Sequence, residues 1–435
     1  MTLIVELRNS YNSNYRADKY LELLTRLNER VGTTVEFRVA ETPIFLPKAL
    51  LNEIADLGAA LTRRLLAWPE YLAGAEKSIP PGFRVAGKSA HPNFLTADFA
   101  LVRDDAGKLA PRLVEIQAFP SVYAYQLALA EEYAKVFDLP GSLDVYLGVY
   151  LGIYLGGHTK ESFWELFRRT VVGDHSPENV ALLEVDPMHQ KTLPDFLLTA
   201  KALGIAIVDI ATVVPVGNKL HYRNGAGELV PIHRIYNRAI ADEMIARKIQ
   251  LPFDLSRDWD VEWAGHPNWY FLISKYALPW LSLPESDGTA ADPVVPPAVF
   301  LEDFLQGDGK ERLRAAGVAV PDDEAGETVY QDLLLKPLFS FAGKGIQFDP
   351  SRADLLAIPE AERGNYLLQQ RMQFVPTIET PFGLTQAEIR ILYLWPEGGE
   401  LSPVLPLVRL GRGKMMGVDH NRDQEWVGAS AAFWQ

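Results

Sequence analysis

The stretch Leu333-Leu334-Leu335-Lys336-Pro337-Leu338-Phe339-Ser340-Phe341-Ala342-Gly343-Lys344-Gly345-Ile346 starts as a short apolar run, the mark of a buried strand, with Lys336 at its end. A loop follows with small residues at Ser340, Ala342, Gly343 and Gly345. Glycine lets a backbone adopt positive φ and come close to a ligand, and exposed N–H groups in such a loop cradle an anion. A lysine beside that cradle suits a polyphosphate. The spacing is not that of a P-loop, because Gly-x-x-x-x-Gly-Lys-[Ser/Thr] is absent. Taken alone, the stretch reads first as a hairpin with a glycine turn and a solvated strand-end lysine.

Around it lie 435 residues, 48% hydrophobic and 23% charged, an ordinary globular composition with core enough for two or three domains or lobes. The net charge of −14 argues against non-specific nucleic-acid binding and against an anionic membrane surface. There is no cysteine, which excludes disulfides, thiol nucleophiles, Cys-zinc sites and iron–sulfur clusters. The eight histidines show no metal-ligand spacing. No basic segment followed by an apolar one opens the chain, and no apolar run is long enough to span a bilayer. The expectation is a cytoplasmic, soluble protein.

Taken in order, residues 2–7 read as a strand, Arg8–Arg16 as a polar loop, 17–31 as a helix stopped at Gly32, 34–39 as a strand and 50–72 as one or two helices. Residues 94–103 and 113–117 read as a hairpin around the turn Asp104-Asp105-Ala106-Gly107-Lys108. Period-two alternation points Glu115 and Gln117 the same way, and pairing brings Asp98 beside them. Those oxygens suit magnesium; a solvated sheet face is the alternative. The repeat Val145–Gly156 reads as a packing helix with Gly148, Gly152 and Gly156 aligned. Residues 179–238 form a small α/β unit whose last strand carries Arg234 and Arg238, suited equally to an anionic ligand or to interdomain salt bridges. A Trp-rich segment precedes Lys275, and loops follow at 283–297 and 307–327. Strands then follow at 366–375, 388–395 and 404–410. Glu388 and Arg390 share a face there, as site residues or as a surface salt bridge; Arg409 and Arg412 read equally as site residues or interlobe ion pairs.

Lys275, then Lys336 with its glycine loop, then Gln369-Gln370, Glu388-x-Arg390, Arg409, and Asn421 with Gly428 form an order that resembles the ATP-grasp family. In that family two lysines hold the nucleotide phosphates, a glycine-rich loop covers them and a hinge strand meets adenine. The usual chain closes with an acidic residue and a Glu-x-Asn pair for magnesium. Here the matching elements come early, as Asp98 and Glu115-Ile116-Gln117, which looks like the circularly permuted, glutathionylspermidine synthetase-like group. The resemblance covers about residues 90–120 and 265–435 and rests on motif order rather than on any single motif. Three residues depart from it: Gln117 replaces the usual Asn, Thr96 stands where that group has Arg, and the hinge offers Gln rather than Glu. The amidase domain of glutathionylspermidine synthetases has no counterpart.

The resemblance implies an α/β (α+β) protein of permuted ATP-grasp fold with a small α/β substrate domain. The expected division is an N-terminal α/β region at 1–90, a metal-side hairpin with helices at 91–175, the substrate-side unit at 176–250 and the nucleotide-binding lobes at 251–435. It implies a ligase that uses ATP and Mg²⁺ to join a small-molecule carboxylate to an amine through an acyl phosphate. Lys275 and Lys336 would meet the phosphates, with Ser340, Gly343 and Gly345 in the covering loop and Gln369 or Gln370 at adenine. Arg390 and Lys336 would be catalytic, Arg409 and Asn421 supporting, and Asp98, Glu115 and Gln117 the metal ligands. The alternatives are an ATP-binding protein without ligase activity and an ATP-dependent phosphotransferase. No nucleic-acid or membrane partner is expected, and neither the substrates nor the oligomeric state can be read from the residues.

Overall fold

Asp98, Glu115, Glu388, Arg390 and Arg409 lie on one sheet and Lys336 on a second. The computed structural model describes residues 4–104, 106–139, 151–284, 291–322, 328–339, 345–416 and 423–435. The larger sheet has seven strands. Six lie in the spatial order Ile44–Leu46, Gly428–Trp434, Ser402–Gly411, Gly383–Leu394, Phe94–Arg103, Leu109–Gln117, and Ile378–Thr380 pairs at the side of Gly383–Leu394. All these pairings are antiparallel except that of Ile44–Leu46 with Gly428–Trp434. The helix Lys48–Leu66 packs on the sheet, and Tyr393 on the central strand donates its hydroxyl to the Ala55 carbonyl at 2.7 Å. The first half of the helix Tyr123–Val136 is buried all round, while Glu131 and Glu132 in its second half ion-pair with Arg26 and Arg30. The helix lies among Gly428–Trp434, Ser402–Gly411 and the helices Ala17–Val31 and Leu193–Leu203. Phe94–Arg103 is buried along almost its whole length because both its faces are covered.

The second sheet has four antiparallel strands in the order Ala298–Phe300, Tyr366–Gln370, Leu333–Pro337, Gln347–Phe348. Its core is its own, with Val299, Phe304, Leu313, Tyr330, Leu335, Leu355 and Leu368 packed together. A third, all-parallel sheet runs Glu262–Ala264, Arg234–Asn237, Val180–Glu184, Ala206–Asp209, with Leu193–Leu203 as a crossover helix. Val214–Val216, Lys219–Arg223 and Leu229–Ile232 form a small three-stranded sheet. No helix among the described residues is long and apolar enough to cross a membrane.

Four local expectations are corrected. The expected strand at 2–7 and loop at 8–16 give way, within the described residues, to a helix over Val5–Asn14. Ile4, Leu7, Tyr11 and Tyr15 recur at helical spacing and share one apolar cluster. The segment 34–39 is irregular apart from a single bridge from Val39 to Ala429. The part of the Val145–Gly156 repeat within the described residues is extended rather than helical. Gly152 exchanges both backbone hydrogen bonds with Trp434, and a side chain there would lie about 2.1 Å from the Trp434 indole, so only glycine allows the approach. The segment 307–327 contains the helix Asp308–Ala315. The strand Gly428–Trp434, which holds Ile44–Leu46 to the sheet, was not anticipated.

Candidate active site

Strand register builds the site. Across one face of the large sheet, Glu115 pairs with Asp98, Asp98 with Arg390, and Glu388 with Arg409. Alternation keeps Glu388 and Arg390 on the same side of their strand. Arg390 grips the fully buried Asp98 with two parallel bonds, Nε to Oδ1 and Nη2 to Oδ2, both 2.6 Å. Arg409 Nη2 adds a third, to Oδ2, at 2.5 Å, and also ion-pairs with Glu388. Glu115 is held more loosely: Arg390 Nη2 lies 3.5 Å from one oxygen and Lys275 Nζ 3.7 Å from the other. Lys275 follows the short helix Asn268–Leu272 and is buried.

The second sheet supplies Lys336, at the end of its central strand and 4% exposed. Its ammonium donates to Gln369 Oε1 at 2.6 Å. Burial draws Lys336 down to about 8, with the like charge of Lys275 adding to the effect and Glu115 and Glu388 opposing it. Burial would raise Glu115, but Lys275 first, then Arg390, Arg409 and Lys336, pull it down to about 2. Burial pushes Glu388 up to about 7 with help from Asp98 and Glu115, against Arg409 and Arg390. The Arg390 guanidinium is held above its ordinary value by Asp98, Glu115 and Glu388 despite burial. Four cationic side chains, Lys275, Lys336, Arg390 and Arg409, thus meet three acidic ones, one of them half-neutral near pH 7. The charge in deficit is negative, the sign that a polyanion would supply.

Of the other residues marked from sequence, Gly345 is described and takes φ +79, in the region that favours glycine. Ser340, Gly343 and Asn421 lie outside the described residues. Gln370 is half-buried at the edge of its strand, and Gln117 lies half-buried opposite Thr96. Arg412 is turned to the hydroxyls of Thr385 and Thr380, at 3.0 and 3.1 Å. Arg234 resolves toward structure: it is 2% exposed, bonded to the Val171 and Thr170 carbonyls, and ion-paired with Glu262 and Glu397. Arg238 donates to the Ser121 carbonyl at 2.7 Å and packs against the rings of Phe119 and Phe196. A cavity of about 560 Å³ lies by Arg234, Glu262, Trp263 and Glu397 and includes none of the charged cluster. Glu388, which the sequence offers as a site residue or as half of a surface salt bridge, is buried and ion-paired with Arg409, a pairing set by strand register.

No group of three or more His, Asp or Glu side chains that could hold a metal occurs among the described residues. Asp98 fits a metal poorly here, with both oxygens taken by arginine. Glu115 fits better: it is ionised, its side chain is 23% exposed, and its contacts are long. One carboxylate, with the half-buried Gln117 amide beside it, would suit a magnesium ion that keeps water in most of its shell.

No protein-family model and no curated protein matches the chain. Among solved structures, a glutathione synthetase-like effector from Globodera pallida aligns over 96% of this chain and 96% of its own, with TM-score 0.51 and 10% identity. A protein named "Putative gamma-glutamylcysteine synthetase", from Methylobacillus flagellatus KT, aligns over 82% and 83% at 14% identity, with a TM-score of 0.33 that carries no argument. The first likeness is one of fold, and it runs end to end: the chain shares the overall fold of that glutathione synthetase-like effector.

Proposed function

We propose that the protein is an ATP- and Mg²⁺-dependent ligase of permuted ATP-grasp type, joining a small-molecule carboxylate to an amine. The observation that carries this reading is the convergence of Lys275 and Lys336 on the Glu115–Asp98–Arg390–Arg409 row, with a surplus of positive charge between two sheets. In this reading Lys275 and Lys336 hold phosphate oxygens, and the glycine loop around Gly343 and Gly345 covers them. The substrate carboxylate oxygen attacks the γ-phosphorus, the bond to ADP breaks and an acyl phosphate forms. The amine nitrogen then attacks the acyl carbon, phosphate leaves and the nitrogen loses a proton. Such transfers need positioning and charge neutralisation more than covalent help from the protein. Arg390, rigidly held by Asp98, faces the charge that develops on the acyl oxygen. Glu115 and Gln117 would hold Mg²⁺, which when bound neutralises phosphate charge.

Titration calorimetry with ATP and Mg²⁺, on the native protein and on Lys336→Ala, tests the nucleotide site: the native chain binds and the variant does not. Hydroxylamine trapping with a panel of carboxylates then tests the chemistry, since hydroxamate forms only from an acyl phosphate. ADP release without hydroxamate for any carboxylate would point to phosphotransfer instead. The engagement of both Asp98 oxygens by arginine favours one alternative, an ATP-binding protein that does not ligate. That alternative predicts ATP binding with neither ADP nor hydroxamate.

A further inference from the structure

Lys336 and Gln369 are diagonal neighbours on two antiparallel strands, Lys336 opposite Leu367 and Gln369 opposite Leu334. The family resemblance implies that Gln369 or Gln370 meets adenine; in the structure the Gln369 amide oxygen accepts from the Lys336 ammonium at 2.6 Å, and the glutamine is wholly buried. An ammonium has donors only, so the oxygen must face it and the amide orientation is settled by chemistry. The direction of Nε2 is then settled too. That nitrogen is buried and has no acceptor among the described residues. Native interiors rarely leave an amide donor in that state, because water satisfied it before folding. Lys336 itself is a buried cation with no carboxylate in ion-pair contact among the described residues; Glu115, Glu388 and Lys275 act on it from three other elements.

Building on the nucleotide reading above, we propose that Gln369 is a positioning and recognition residue. Its carbonyl oxygen keeps Lys336 charged and aimed into the cluster, while its N–H donates to an acceptor atom of the bound nucleotide. Gln370, half-buried and at the strand edge, has no such arrangement.

The test is calorimetric titration of native protein, Gln369→Leu and Gln369→Glu with Mg²⁺-ATP at about pH 6 and pH 8.5, values that bracket the lysine. Without the amide acceptor, Lys336 loses its proton more readily. Gln369→Leu should therefore weaken ATP binding about tenfold relative to native at the higher pH and only about threefold at the lower, where the lysine charges regardless. Gln369→Glu keeps Lys336 charged and removes the donor, so its loss should be equal at both pH values. Repeating the Gln369→Glu titration with inorganic triphosphate locates the acceptor: an equal loss marks a phosphate oxygen, no loss a ring nitrogen. A Gln369→Leu loss independent of pH would overturn the positioning role, and native affinity in Gln369→Glu would overturn the recognition role. Thermal unfolding without nucleotide gives an independent readout. Gln369→Leu should lower Tm, and adding Lys336→Met should reverse the drop; additive shifts would sink the pairing. Coupling there, with no ATP binding by the native protein, would retain the pair and reject the nucleotide reading.

Discussion

Two arginine–carboxylate clusters touch the same central strand, Gly383–Leu394, one just past its C-terminal end at Glu397 and one at its middle at Glu388 and Arg390, and they differ in how completely their charges are matched. At one end Arg234, itself 2% exposed, meets Glu262 and Glu397, whose side chains are 60% and 48% exposed, and fills its remaining donors with the Val171 and Thr170 carbonyls. Every part of that guanidinium contact is supplied by the protein. At the middle of the strand four cations crowd three acids, Glu115 is contacted among the described residues only at 3.5 and 3.7 Å, and Lys336 and Glu388 are displaced toward neutrality. A satisfied cluster joins elements; one left with surplus charge and shifted protonation states is where a ligand completes the electrostatics.

The sharpest way to break this contrast is Lys336→Ala. On the proposed ligase reading, loss of the Lys336 charge should cut ATP-dependent turnover by about a hundred- to thousand-fold. Because the fold carries Lys336 against the cost of burial, circular dichroism should show Tm unchanged or raised. A large drop in Tm would make Lys336 a structural residue like Arg234. The converse change is Glu262→Gln combined with Glu397→Gln, which leaves Arg234 buried without a counter-charge. It should cost about 3 kcal/mol of stability by denaturant unfolding, with ATP affinity untouched. Lost affinity in a stably folded double variant would mean the two clusters are coupled.

Proton linkage separates the clusters further. Lys336 is lowered to about 8 from an ordinary 10.5, so the unfolded chain binds more protons between those values. Its penalty on the fold is fully present below about pH 8 and fades as pH rises toward 10.5. On the proposed reading ATP affinity should move the other way, falling as pH rises through about 8, because phosphate oxygens would bind the charged form of Lys336. Affinity that stays flat across that range in calorimetry would remove Lys336 from the phosphate site.

How much of this was legible in the sequence follows the range of the interactions. The Phe94–Gln117 hairpin reads from local alternation and a turn rich in Asp and Gly, and so does the meeting of Asp98 with Glu115. Lys336 at a strand end also reads locally. The bonds of Asp98 to Arg390 and Arg409 span 292 and 311 positions, and no local pattern encodes them. The strand Gly428–Trp434, composed mostly of small residues, owes its form to neighbours on both sides rather than to propensity. The first helix was misread because a short apolar run fits either period, and packing of Tyr11 against Phe45 and Phe137 decides it. Gln369 was placed on the right strand, but its contact with Lys336 depends on the pairing of two strands.

The smallest expected effect tests the imbalance at its source. Glu388 is raised to about 7 from 4.5, so the folded state binds the extra proton between those values. Its ionisation therefore destabilises the fold progressively from about pH 4.5 to pH 7 and by a constant amount above. Glu388→Gln should be near neutral at acid pH and stabilising by about 1 kcal/mol in mildly alkaline solution, measured by urea unfolding at both ends of the range. The same substitution releases Arg409 from an ion pair and should tighten binding of an anionic nucleotide. If it destabilises at alkaline pH instead, the Glu388–Arg409 contact is a structural ion pair like that of Arg234, and the surplus charge at the candidate site shrinks to the two lysines and Arg390.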